Sequence, residues 1–215
     1  IECRLVGSEM CIRDRHKADD GELFMEFCES ESFVYDDQRL KSASFDTSKG
    51  FGLRAIAGES SGYAHSSDID ENALKKASET VNFITKYHNA NFNADFSKTN
   101  RKLYNEINPI NETEFSEKVE TLKKIDEYAR SKNPNVKQVS ASLNGEWQAV
   151  RIYRPGGIMI EDLRPLVRLY VSIVLEKDGR QENGSRGSGG RLDYSTFLNS
   201  SHWQNQVDEA INPVS

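Results

Sequence analysis

The chain has 215 residues, enough for one or two domains that each bury a core. Its 28 Lys and Arg against 34 Asp and Glu give a net charge of −6, which argues against nucleic-acid binding, where basic side chains must neutralise phosphates. No apolar run approaches the roughly 20 residues that cross a bilayer, so a cytoplasmic protein with no membrane or nucleic-acid partner is expected.

Residues 1–15 fit nothing that follows. They have no apolar run and no small-residue cleavage site, so they do not read as a signal peptide. They resemble a translated sequencing-adapter scar, and we treat them as a non-native tail. The first residue is Ile1, so the natural N-terminus is expected to lie upstream. The three cysteines (Cys3, Cys11 and Cys28) form no C-x-x-C pair and suggest no disulfide framework. Cys28 alternates with apolar residues and reads as a buried, inert thiol.

From Glu22 the period shortens. Residues 23–28, 33–35, 39–46, 50–57 and 62–66 read as strands. Polar breaks at 29–32, 36–38, 47–49 and 58–61 separate them, predicting an antiparallel meander. A helix follows over 71–87, capped by Asp68 or Asp70. Ala73, Leu74, Ala77, Val81, Ile84 and Tyr87 make its apolar stripe. Residues 91–113 are polar and Asn-rich, and read as a connector. A second helix is predicted over 114–130, with Phe115, Val119, Leu122, Ile125 and Ala129 on one face. Pro134 lies beyond its end.

The second module begins with strands at 136–143 and 146–153, joined by a predicted type I′ turn at Asn144-Gly145. Arg154-Pro155-Gly156-Gly157 turns the chain again. Residues 160–177 hold the longest apolar, β-branched run, which predicts a strand covered on both faces. Asp178-Gly179 is a second type I′ signal. Beyond it a short return strand is expected, and then Gly184, Gly187, Gly189 and Gly190 predict a loop whose backbone can approach another chain closely. Residues 193–211 read as a helix, with Phe197, Trp203 and Val207 as apolar positions. The fold class is therefore α+β: antiparallel meander sheets packed with amphipathic helices, in two modules. We place the modules at 16–90 and 114–215, with 91–113 between them and a C-terminal end expected to be truncated.

The chemistry is sparse. The four histidines are His16, His65, His88 and His202. None precedes a Glu, and no two are four residues apart, so no helical zinc site can be read. His65 reads as a strand-end histidine. The loop 184–190 lacks the Gly-Lys-Ser/Thr ending of a phosphate-binding loop.

Two blocks carry a family resemblance. One is Asp162-Leu-Arg-Pro-Leu-Val-Arg-Leu, followed by Glu176-Lys-Asp-Gly-Arg and Gly189-Gly-Arg. The other covers residues 37–65, from Asp37-Gln-Arg-Leu to Gly62-Tyr-Ala-His. Together they resemble the N-terminal half of the TldD/PmbA metallopeptidase family, on its TldD side, over about residues 20–210. The family's His-Glu-x-x-x-His zinc motif does not occur in this sequence.

The resemblance implies a zinc metallopeptidase of unfolded or extended peptides that works with a PmbA-like paralogue. It implies that zinc ligands and catalytic residues lie outside this chain, which alone would bind no metal and be inactive. It also implies that Gly187, Gly189, Gly190 and Arg191 line a substrate cleft, where Arg186 or Arg191 meets a peptide carboxylate or carbonyl. A solvated loop with exposed arginines is the alternative for that stretch. For the chain as a whole, the alternative is a non-catalytic protein-interaction or regulatory module.

Overall fold

The computed structural model describes residues 18–85 and 103–212. The tail at 1–15, Tyr87 and most of the expected connector lie outside the described residues, as do the side chains of 82–85. The strands are β1 (Asp20–Asp36), β2 (Arg39–Ala57), β3 (Ser60–Ser66), β4 (Val136–Arg154), β5 (Ile158–Lys177) and β6 (Arg180–Gly190). They form one sheet in the order β3-β2-β1-β4-β5-β6. The helices are α1 (Glu71–Thr85), α2 (Pro109–Glu112), α3 (Phe115–Lys132), α4 (Tyr194–Leu198) and α5 (Ser200–Ile211). This is the expected α+β class.

Several strands are longer than the sequence predicts. β1 runs through the polar stretch 29–32, and β2 through Thr47-Ser48-Lys49. In β2 these polar residues are exposed and need no break in the backbone ladder, whereas in β1 Glu31 is buried and meets Lys118 and Tyr194. β4 runs straight through Asn144-Gly145, where a turn is expected. Gly145 has no positive φ. It is small because the Tyr194 ring and hydroxyl occupy the place of a Cβ. The hairpin reading holds at Asp178-Gly179, where φ is 53° and 77°. A turn of the same hand joins β1 and β2 at Asp37 and Gln38, with φ of 45° and 65°.

The chain divides into two compact units. Among the described residues, the first comprises 18–28, 48–85 and 149–163, and the second 29–47, 103–148 and 164–212. The long strands β1, β2, β4 and β5 thus each contribute to both.

In the first unit, β2 and β3 pair antiparallel from Phe51↔Ser66 to Ala57↔Ser60. Asp70 caps α1 by accepting from the Ala73 amide at 2.8 Å. The helix lays Ala77 and Val81 into a core with Leu23, Phe51, Leu53 and Ala55. Leu74 packs against that core but is only partly buried.

The second unit holds the larger core. Val139, Ala141 and Leu143 of β4 and Val167, Leu169, Val171 and Ile173 of β5 alternate inward, as a half-buried strand requires. Leu122, Ile125 and Ala129 of α3 and Trp203, Val207 and Ala210 of α5 cover them. β5 is not covered on both faces: Leu166, Arg168 and Tyr170 on its other side are exposed. Phe115 is also exposed, although its ring meets Phe33 edge-on at 5.5 Å. The predicted C-terminal helix is two helices. Asn199 ends α4 and caps α5 by accepting from the Ser201 amide at 2.9 Å.

Candidate functional site

The glycine-rich stretch is a strand, not a loop. β6 pairs antiparallel with β5 without interruption, from Lys177↔Arg180 to Val167↔Gly190. Glycine disfavours strands through entropy and the lack of a side chain to pack. Here its neighbours on β5 supply what it lacks. Tyr170 lies opposite Gly187, with its ring 3.1 Å from the position of a Cβ. Arg168 lies opposite Gly189 and stands 5.9 Å over the Tyr170 ring. The large side chains of one strand thus cover the bare backbone of the other.

β6 is the last strand of the sheet. The two-residue turn makes Lys177 and Arg180 a hydrogen-bonded pair, and such pairs alternate along the ladder. Arg186, Ser188 and Gly190 therefore bond inward to β5. The backbone groups of Ser185, Gly187 and Gly189 face the edge. Two of these three carry no side chain that would hinder an approaching backbone.

The candidate residues thus divide by direction. Gly187 and Gly189 present their amides and carbonyls to the edge, while Gly190 closes the ladder opposite Val167. Arg191 follows the end of β6. Its guanidinium donates to the Pro165 carbonyl at 3.5 Å and stands 5.2 Å from the Tyr104 ring centre.

A polar groove of about 520 Å³ lies beside this edge, between β6 and α5. Its walls include Arg186 and Ser188 from β6 and His202, Asn205, Gln206 and Glu209 from α5. Ser188 Oγ accepts from Gln206 Nε2 and bonds His202 Nε2 at 2.9 Å. Arg186 Nε donates to Glu209 Oε2 at 2.9 Å. Sequence reading missed this groove, because its two walls meet only when the strand and helix pack. The spacing of Asn205 and Glu209 by four residues on one predicted helix face was the signal available.

A buried charged cluster was missed as well. Lys118 of α3 donates to Glu31 Oε1 at 2.6 Å and to the Ile110 carbonyl at 3.0 Å. The Tyr194 hydroxyl donates to the same Glu31 oxygen at 2.7 Å. All three side chains are buried. Burial first, and then the Glu31 carboxylate, push the Tyr194 hydroxyl far above its ordinary range, so it stays a donor. This cluster is buried and reads as a structural tie.

Among the described residues, no three His, Cys, Asp or Glu side chains gather in a way that could hold a metal ion. His65 on β3 lies opposite Gly52, with its ring 5.9 Å from Tyr63. Cys28, expected to be buried, is only half-buried. Among the described residues, no helix is long and apolar enough to cross a membrane.

The sheet and its helices define an α+β chain whose architecture recurs in solved structures. TldE from Thermococcus kodakarensis superposes with a TM-score of 0.78 at 18% identity, covering 98% of this chain and 46% of that one. Residues 21–82 match the family model of PmbA/TldA metallopeptidase domain 1, and residues 108–212 that of the PmbA/TldA metallopeptidase central domain. The chain belongs to the TldD/PmbA metallopeptidase family. Among its relatives is a Metalloprotease TldD homolog from Haemophilus influenzae, 34% identical over 190 residues and covering 87% of this chain. Another, from Buchnera aphidicola subsp. Acyrthosiphon pisum, is 30% identical over 192 residues and covers 89%. The chain spans 39% of the length of each of these two relatives.

Proposed function

We propose that this chain is the N-terminal, non-catalytic part of a TldD-like zinc metallopeptidase that cuts unfolded or extended peptides with a PmbA-like partner. The observation that carries the reading is the pair of family matches in sequence order, together with relatives described as TldD metalloproteases. The residues described here supply no metal ligand set. In this reading, as the family resemblance implies, zinc, the catalytic groups and the peptide bond cleavage they perform belong to the rest of a longer protein, and no step of that chemistry is assigned to this chain.

The contribution of this chain is peptide holding. An extended substrate pairs through its own backbone with a free strand edge, so affinity comes from main-chain hydrogen bonds and is indifferent to much of the sequence. The edge of β6 at Gly187 and Gly189 suits that role, with Arg191 beyond its end as a candidate for a peptide carboxylate.

The test is to read the gene downstream of Ser215. A His-Glu-x-x-x-His segment in frame there supports the peptidase. A continuous reading frame without that segment would leave the second reading, an interaction module acting through the same open edge.

A further inference from the structure

Gln206 raises a question that edge pairing alone does not answer. The residue is 5% exposed, and it lines the groove between β6 and α5. Its Nε2 is fixed on Ser188 Oγ, which His202 holds in turn. Its Oε1 is buried and has no hydrogen-bond partner. A buried acceptor without a donor is unfavourable, and folded proteins keep few of them. The neighbouring charges do not answer it, because Arg186 and Glu209 are engaged with each other and leave the groove with no excess charge.

The geometry of the edge says what can reach this atom. Residues opposite one another in paired strands share a face. Ser188 and Arg186 point toward α5, as both line the groove. A residue paired opposite Ser188 on an added strand therefore points its side chain toward α5 as well, into the groove. Neighbouring strands lie about 4.8 Å apart, which is within reach of a side chain of ordinary length.

We propose that this groove is a side-chain subsite for a peptide strand added to β6, and that it selects a carboxamide, the side chain of Asn or Gln. The inference rests on the edge-pairing reading given above. A carboxamide donates an N–H to Gln206 Oε1 and turns its own carbonyl toward Arg186 or Asn205. An aliphatic side chain leaves Oε1 unpaired. An ammonium or carboxylate brings a charge that the paired Arg186 and Glu209 do not balance.

The experiment uses the 215-residue chain and fluorescein-labelled, unstructured decapeptides of Ser, Thr and Val with one central guest residue. Binding is read by anisotropy, with a melting curve for each variant. Guest Gln or Asn should bind about three- to tenfold more tightly than guest Leu, Lys or Glu, the range of one net hydrogen bond. Gln206→Met should level Gln with Leu. Gln206→Glu should move the preference to Lys, a gain that loss of folding cannot imitate. Equal binding of all guests would overturn the subsite and leave edge pairing standing. No binding of any peptide to a chain with a native melting curve would overturn both.

Discussion

The Tyr194 hydroxyl donates to Glu31 Oε1 at 2.7 Å, joining residues 163 positions apart. The same oxygen receives Lys118 at 2.6 Å. One carboxylate thus ties β1, α3 and α4 together within the second unit. A charged group buried this deeply is tolerated because two donors meet it. Removing one donor should therefore harm the fold more than removing a surface ion pair would. Lys118→Met should destabilise by about 3–5 kcal/mol, because it leaves a carboxylate buried beside a single hydroxyl. Tyr194→Phe should lose less, about 1–3 kcal/mol, since Lys118 remains. Urea denaturation of both variants checks the order.

The same tyrosine predicts an alkaline limit. Its folded-state ionisation is raised above the ordinary value of 10.0. Below pH 10 both folded and unfolded chains hold the proton, so this group's stabilising contribution is fully present. Above it the unfolded chain loses the proton first, and stability falls with rising pH. The slope from one such group is about 1.4 kcal/mol per pH unit. Denaturation midpoints between pH 9 and 11 should show a shallower decline in Tyr194→Phe than in the parent chain.

Gly145 should prove a packing glycine, since it sits under Tyr194 and does not turn the chain. Gly145→Ala should destabilise by about 1–3 kcal/mol through overpacking. In a Tyr194→Ala background the same change should cost little, because the obstructing ring is gone. A double-mutant cycle reads this coupling. Equal costs in both backgrounds would show that the backbone of β4 needs glycine for another reason.

The two helix faces should differ in depth. Ile125 of α3 is fully buried in its core, whereas Leu74 of α1 is partly buried. Ile125→Ala should cost about 2–5 kcal/mol through lost burial and a residual cavity. Leu74→Ala should cost less than that range. Thermal melts of the two variants give the comparison.

The helices were legible because their signal is local. Asp70, Ala77 and Val81 announce the start and the inward face of α1, and Leu122, Ile125 and Ala129 announce that of α3. The Asp178-Gly179 turn was legible for the same reason, as its residues suit the positive φ the turn demands. Asn144-Gly145 carries the same dipeptide chemistry, yet it lies inside a strand. There the bare glycine receives the ring of Tyr194, almost fifty residues later. β6 misled in the opposite way. Its glycines read as a loop until Tyr170 and Arg168 are seen lying across them. Strand lengths were underestimated wherever a polar stretch such as Thr47-Ser48-Lys49 faces solvent, because hydropathy does not report the backbone ladder. The family was legible from residues 37–65 and 162–191. The groove at Gln206 was not, since it exists only where β6 meets α5.

In the function proposed above, this chain holds peptide while the metal chemistry lies elsewhere in a longer protein. The most direct measurement assays an unstructured fluorogenic peptide with equimolar zinc, with and without chelator. It compares this chain alone with a full-length TldD-like protein containing it, co-purified with a PmbA-like partner. Chelator-sensitive cleavage and bound zinc are expected in the partnered full-length protein, and neither in the chain alone. Chelator-sensitive cleavage by the 215-residue chain itself would contradict that expectation.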